Sequence, residues 1–245
     1  MKRPDSRRPN QLRPTSFTWD FAPNALASVL VECGETRVIC AVSHEESVPK
    51  WKKFQNIPGG WVTAEYSMLP YSTDSRKPRD ISKGKIDGRS QEIQRLIGRS
   101  LRAVIDMDQL GPRSLWVDCD VLSADGGTRT ASITGSGLAL KLAIERLKES
   151  GLLTKNPMRD WLAATSVGIY EGVPVLDLNY PEDRDASVDM NVVMTSKGEY
   201  IELQASGEEA TFTPKELTQL TSLAQSGIKK LISLQRKAWK TRPQP

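Results

Sequence analysis

The sequence predicts a single α/β-type domain, of the α+β kind, with mixed β-sheets packed against a few long helices. Segments that alternate apolar and polar residues, the two-residue period of half-buried strands, recur along the chain. Three segments of helical character interrupt them. The 245 residues are 38% hydrophobic and 26% charged, with no repeat of solenoid length, so one large core is expected.

Residues 1–16 are polar and rich in Pro and Arg, and read as an arm. Residues 25–33 and 36–43 read as a strand pair around a turn at Gly34-Glu35. Residues 44–60 are a loop, with Pro49, Pro58, Gly59 and Gly60 as breakers. Residues 61–68 alternate as a strand. Residues 70–87 show no apolar period and read as a long basic loop, a kind of segment that is usually functional or disordered. From 89 to 105 the period is helical: Ile93, Leu96, Ile97, Leu101 and Val104 share a face, and Arg95, Arg99 and Arg102 form a neighbouring stripe. Residues 115–122 are a strand, and 130–147 a second helix that starts with small residues. Four strands follow, at 162–170, 173–180, 188–195 and 200–204. Thr213-Pro214 opens a last amphipathic helix over 213–238 as N-cap and first helical residue. Residues 1–240 are expected to form the domain and 241–245 a disordered tail.

Composition excludes several kinds of chemistry. No run of 18 apolar residues exists, so no helical membrane span is expected, and no apolar stretch follows the basic N-terminus as in a secretory leader. Cys33, Cys40 and Cys119 are odd in number and lack C-x-x-C spacing, which argues for core thiols in a reducing cytoplasm. One histidine, His44, rules out a two-histidine nuclease or a multi-histidine zinc site within one chain. Catalysis must therefore run on Arg, Lys, Asp, Glu and backbone N–H groups, with or without a metal.

The net charge of +4 hides strong local asymmetry. Residues 76–102 hold nine basic groups against three acids, and 229–242 hold six basic groups and no acid. Such blocks suit a polyanion. Ser123-Ala-Asp-Gly-Gly-Thr-Arg-Thr-Ala-Ser132 lies between a strand and a helix, where two glycines, a helix N-terminus, Thr128 and Arg129 could cradle a phosphate; the bland alternative is an ordinary Gly-rich turn. No Gly-Lys-Ser/Thr follows, so it is not a Walker A loop. Arg89 could face the same anion from another helix. Asp177, Glu182, Asp183, Asp185 and Asp189 form an acidic cluster able to hold Mg²⁺ or to act as acid and base; the bland alternative is an ordinary acidic surface loop.

At these residues the chain resembles the ribonuclease PH family of phosphate-dependent 3′ exoribonucleases. The matching stretches are Gly60-Trp-Val-Thr-Ala-Glu-Tyr-Ser-Met-Leu-Pro70, Lys83-Gly-Lys85, residues 89–99, residues 118–134 and Asp189-Met-Asn-Val-Val-Met-Thr195, and the similarity runs from about residue 4 to about residue 238. The resemblance implies a domain of two related halves, a homo-hexameric ring built as a trimer of dimers, and trimming of tRNA precursors and other RNA 3′ ends by inorganic phosphate. It implies phosphate binding at Arg89, Gly127, Thr128 and Arg129, and metal and proton chemistry with Mg²⁺ at Asp183 and Asp189. The RNA would be guided by Arg76 and Arg79, with Arg95 and Arg99 beside them. The alternative is a silent RNA-binding ring subunit of exosome type. Tyr71 stands where the family usually has arginine, Asp74 where it has histidine, and Ala205-Ser206 where it has Gly-Thr. The two loop changes remove positive charge from the RNA path, and Ala205 is expected to strain a backbone shaped for glycine.

Overall fold

Two sheets sandwich one buried helix. The computed structural model describes residues 2–244, without the side chains of Ile81 and Lys83. The first sheet is built from β1 (Thr15–Trp19), β2 (Ala27–Cys33), β3 (Thr36–Glu45), β4 (Trp61–Met68) and β5 (Ser114–Ser123), in the order β1-β2-β3-β5-β4. It is mixed, because β4 runs parallel to β5 while the other pairs are antiparallel. The second sheet comprises β6 (Leu162–Tyr170), β7 (Val173–Leu176), β8 (Val188–Thr195) and β9 (Tyr200–Gly207), in the order β7-β6-β8-β9. It is antiparallel throughout, so only one of the two sheets is mixed.

The helices are α1 (Lys50–Phe54), α2 (Asp80–Lys83), α3 (Gly88–Ala103), α4 (Met107–Leu110), α5 (Thr128–Glu149), α6 (Tyr180–Asp185) and α7 (Pro214–Lys240). α3 buries Ile93, Leu96, Ile97 and Leu101 on the side that meets β4, as its period requires. α5 has no such stripe, because every residue from Thr130 to Leu140 is buried between β2 and β3 on one side and β6 on the other. Its small residues permit that approach: a Cβ on Gly135 would stand 2.8 Å from Cys40 Sγ and from Val31. α7 covers β6, β7 and β8, and its buried Gln235 donates to the Thr134 and Leu162 carbonyls at 2.9 and 3.0 Å, tying the second half to α5. No helix among the described residues is long and apolar enough to cross a membrane.

Five expectations are corrected. The N-terminal segment is not a loose arm: Thr15–Trp19 pairs with β2, and Arg3 and Arg13 are buried. The loop over 44–60 contains α1, and the loop over 70–87 contains α2. The strand expected over 173–180 ends at Leu176, because Asp177 takes a left-handed φ of 57° and Asn179 then opens α6. Ala205 is not strained: it sits in the β8–β9 ladder opposite Met190, and its φ is not positive. At the C-terminus Thr241 caps α7 and Arg242 lies 4.4 Å over the Trp239 ring; Pro245 is outside the described residues.

Candidate active site

The Gly126–Arg129 segment, expected to bind phosphate, lies where β5 turns into α5. Gly126 and Gly127 have successive left-handed φ values of 70° and 64°, a shape that side-chain-bearing residues resist. The turn is also packed from behind, since a Cβ on Gly126 would lie 2.7 Å from the Leu178 carbonyl oxygen. Gly127 is the N-cap of α5 and offers no side chain, so the first N–H groups of a 22-residue helix have no side-chain acceptor. Thr128 is fixed by a 2.8 Å hydrogen bond with the Tyr66 hydroxyl. Arg129 donates to Gln204 Oε1 at 2.9 Å and lies 3.5 Å from Glu92. Arg89, exposed in the first turn of α3, completes the positive surround.

The five clustered acids separate into three roles. Glu182 is fully buried and takes Arg3 at 2.5 and 2.7 Å, with Arg7 at 3.4 Å. Asp177 accepts from the Arg13 backbone N–H at 2.7 Å and from its guanidinium at 2.6 Å. Burial would raise the Asp177 carboxyl, but Arg13 and Arg7 outweigh it and hold the carboxyl below its ordinary value. Asp185 pairs with Arg184 at the surface at 2.6 Å. Of the five, only Asp183 and Asp189 have no arginine ion pair among the described residues.

Those two sit on different elements. Asp183 is on α6, whose start is set by an Asn179–Glu182 capping box, and Asp189 is on β8 opposite Ser206. Burial raises the Asp183 carboxyl, while Arg89, Arg129 and Arg13 pull it back. Asp189 is raised by burial and then by the negative charge of Asp183. The two carboxylates, Arg89 and Arg129 therefore share one electrostatic neighbourhood. No three His, Cys, Asp or Glu residues converge as metal ligands among the described residues. A pair of hard oxygen donors still fits Mg²⁺, which normally keeps several waters and takes further ligands from substrate phosphates.

The N-terminal arginines bind this site together. Arg13 lies behind the glycine turn, where its guanidinium donates to the Asp125 and Gly126 carbonyls as well as to Asp177. The Tyr180 N–H donates to the Asp125 carboxylate at 3.1 Å, locking the start of α6 to the same turn. Sequence reasoning missed these arginines, because their partners lie more than 160 positions away. Local signals for α6 and β1 were present: Asn179, Pro181 and Glu182 spell a helix start, and Thr15-Ser-Phe-Thr-Trp19 alternates.

The proposed RNA contacts diverge. Arg76 and Arg79 are exposed on the 70–87 segment, as are Tyr71 and Asp74. The segment is tied to the cradle by the Ala124 N–H, which donates to the Ser72 carbonyl at 2.7 Å. On α3 the arginine stripe splits: Arg95 is exposed, Arg99 is held by Glu202 at 2.7 and 2.9 Å, and Arg102 stacks 4.5 Å over Trp61.

This arrangement agrees with what comparison of the sequence finds. Residues 11–144 match domain 1 of the 3′ exoribonuclease (RNase PH) family, and residues 160–227 match its domain 2. The chain belongs to that family. Ribonuclease PH of Syntrophomonas wolfei subsp. wolfei is 54% identical over 236 residues, which cover 96% of this chain and 98% of that protein. Two solved structures share the RNase PH-like fold at 20% identity. Rice (Oryza sativa) Rrp46 has a TM-score of 0.78 and covers 96% of this chain and 99% of its own. The Archaeoglobus fulgidus exosome with RNA bound to the active site has a TM-score of 0.80, covering 95% and 92%. The first match ends inside α5 and the second begins just before β6, so each family domain carries one of the two sheets.

Proposed function

We propose that the protein trims RNA 3′ ends, tRNA precursors among them, by phosphorolysis. The observation that carries this reading is the convergence of Arg89, Arg129 and an uncapped helix N-terminus on the neighbourhood of Asp183. Inorganic phosphate bound there approaches a phosphodiester that is also anionic, and the two arginines and the α5 N–H groups offset that repulsion. Phosphate oxygen then bonds to the terminal phosphorus as the bond to the 3′ oxygen of the penultimate nucleotide breaks, releasing a nucleoside diphosphate. The products keep a phosphoanhydride, so nucleotide addition is the reverse reaction.

Asp183 and Asp189 would hold Mg²⁺, which when bound stabilises charge on the departing oxygen. Their raised proton affinity also suits proton exchange with that oxygen. Arg76, Arg79 and Arg95 present exposed charge to the incoming strand, whereas Arg99 would first have to leave Glu202. A hexameric ring and a cytoplasmic location belong to the same proposal, by analogy with the family.

The test is a 3′-end assay on a tRNA precursor with Mg²⁺, with and without phosphate. Phosphate-dependent shortening that releases nucleoside diphosphates is expected, and Arg129→Ala should abolish it while leaving RNA binding largely intact. Shortening without phosphate that releases monophosphates would overturn phosphorolysis. RNA binding with no shortening would favour a silent ring subunit.

A further inference from the structure

The basic block near the C-terminus takes no part in the site above. On α7, Ser222, Ser226, Lys229, Ser233 and Arg236 recur at steps of three and four residues, so they form one stripe along the helix. The stripe faces the β8–β9 turn at Lys197 and Gly198 across a groove of about 860 Å³. Lys230 lines both this groove and an adjoining hollow of about 500 Å³, which also takes in Arg8. No carboxylate lines either cavity. Among the described residues, Arg8, Lys197, Lys229, Lys230 and Arg236 make no ion pair, whereas Arg3, Arg7, Arg13, Arg99, Arg113 and Arg146 each have a carboxylate partner.

Unpaired cations interleaved with hydroxyls along a groove are the equipment for binding phosphodiester backbone without reading sequence. The groove also lies at a useful distance. Asp189 and Ser196 are on one strand and its turn, seven positions apart, or about 23 Å at the rise of a strand. We propose that this groove holds the backbone of the substrate RNA on the 5′ side of the end being trimmed. The proposal rests on the reading of the site as one for RNA 3′ ends.

At a rise of about 3.4 Å per stacked nucleotide, at least about seven nucleotides separate the site from the groove. A tetranucleotide should therefore ignore the groove, while an RNA of about 20 nucleotides should reach it. The variant is Lys197→Gln/Lys229→Gln/Lys230→Gln, all at exposed positions. Binding is measured by fluorescence anisotropy without phosphate, at several salt concentrations, beside KM and kcat for both RNAs. With three contacts at about 0.7 each, the slope of log affinity against log salt should fall by about 2 for the long RNA. Between 0.2 and 0.05 M salt the unmodified protein should then gain about 20-fold more affinity than the variant. The KM for the long RNA should rise, with kcat and all tetranucleotide parameters unchanged.

An unchanged slope for the long RNA overturns the proposal, and so does an equal loss for both RNAs. A change in assembly mass caused by the variant also overturns it, because the groove would then be a contact between copies. If the unmodified protein trims nothing but the slope still falls, the phosphorolysis reading fails and the groove assignment stands.

Discussion

Arg3 and Glu182 make a doubly hydrogen-bonded pair at 2.5 and 2.7 Å, with both side chains fully buried. Arg3 also donates to the carbonyls of Arg8 and Asp177, each at 3.1 Å. Arg3→Met removes the nearer cation and leaves Glu182 with the Asn179 N–H at 3.1 Å and, as its remaining cation, Arg7 at 3.4 Å. Breaking a buried pair from one side costs about 3–5 kcal/mol, because the remaining charge stays desolvated. With a urea dependence of about 2–3 kcal/mol per molar, the unfolding midpoint should drop by about 1–2.5 M. The assay is urea unfolding followed by tryptophan fluorescence, with Arg184→Met as control. Arg184 pairs with Asp185 at nearly the same distance, 2.6 Å, but in solvent, and its loss should leave the midpoint where it was. Since Glu182 forms the capping box of α6, Arg3→Met should also lower turnover through Asp183. Adding Glu182→Met to Arg3→Met should recover part of the midpoint, because no charge is then left buried without a partner. Equal midpoints for Arg3→Met and the control would refute the argument that burial, not distance, sets the strength of these pairs.

Burial raises the folded-state carboxyls of Asp183 and Asp189, so their ionisation opposes folding. The stability they contribute is present below the ordinary aspartate value of about 3.9 and is lost as pH rises through the raised values. Asp183→Asn should therefore be more resistant to urea than the unmodified protein at neutral pH, yet lose about 10²-fold or more in turnover. Activity of the unmodified protein should begin to fall on acidification at a higher pH than an ordinary carboxylate would give. Asp177 works in the opposite sense: its lowered value supports the fold above about pH 3.9, and that support is lost as pH falls through the folded-state value. Gly126→Ala should cost about 1–3 kcal/mol from its φ alone, and more from the Leu178 carbonyl contact, with a raised KM for phosphate in steady-state kinetics. The Cys33 thiol is pushed up to about 12 by burial and by Asp177, so it should react with a thiol reagent at pH 8 about 10³-fold more slowly than in the unfolded chain.

The residues on their own determined most of the strands, the three long helices and the Gly126–Arg129 cradle, because each depends on a local period or on a turn chemistry visible within a dozen positions. α6 was legible too, through its Asn179 cap and Pro181, but the apolar run before it imitates a longer strand. The family resemblance singles out Asp183 and Asp189, but nothing in the local spacing ranks the five clustered acids. Their spacing is alike, and what separates them is whether an arginine from the N-terminus or from the surface reaches each one. Folding brings Arg3, Arg7 and Arg13 across more than 160 positions to claim Glu182 and Asp177, which leaves Asp183 and Asp189 facing Arg89 and Arg129. The same holds for the arginine stripe on α3, whose members differ only by what lies opposite: solvent at Arg95, Glu202 at Arg99 and Trp61 at Arg102. Local order is written in neighbouring residues. Which charges are neutralised and which remain free for chemistry is decided by contacts between distant segments, and those exist only in the folded chain.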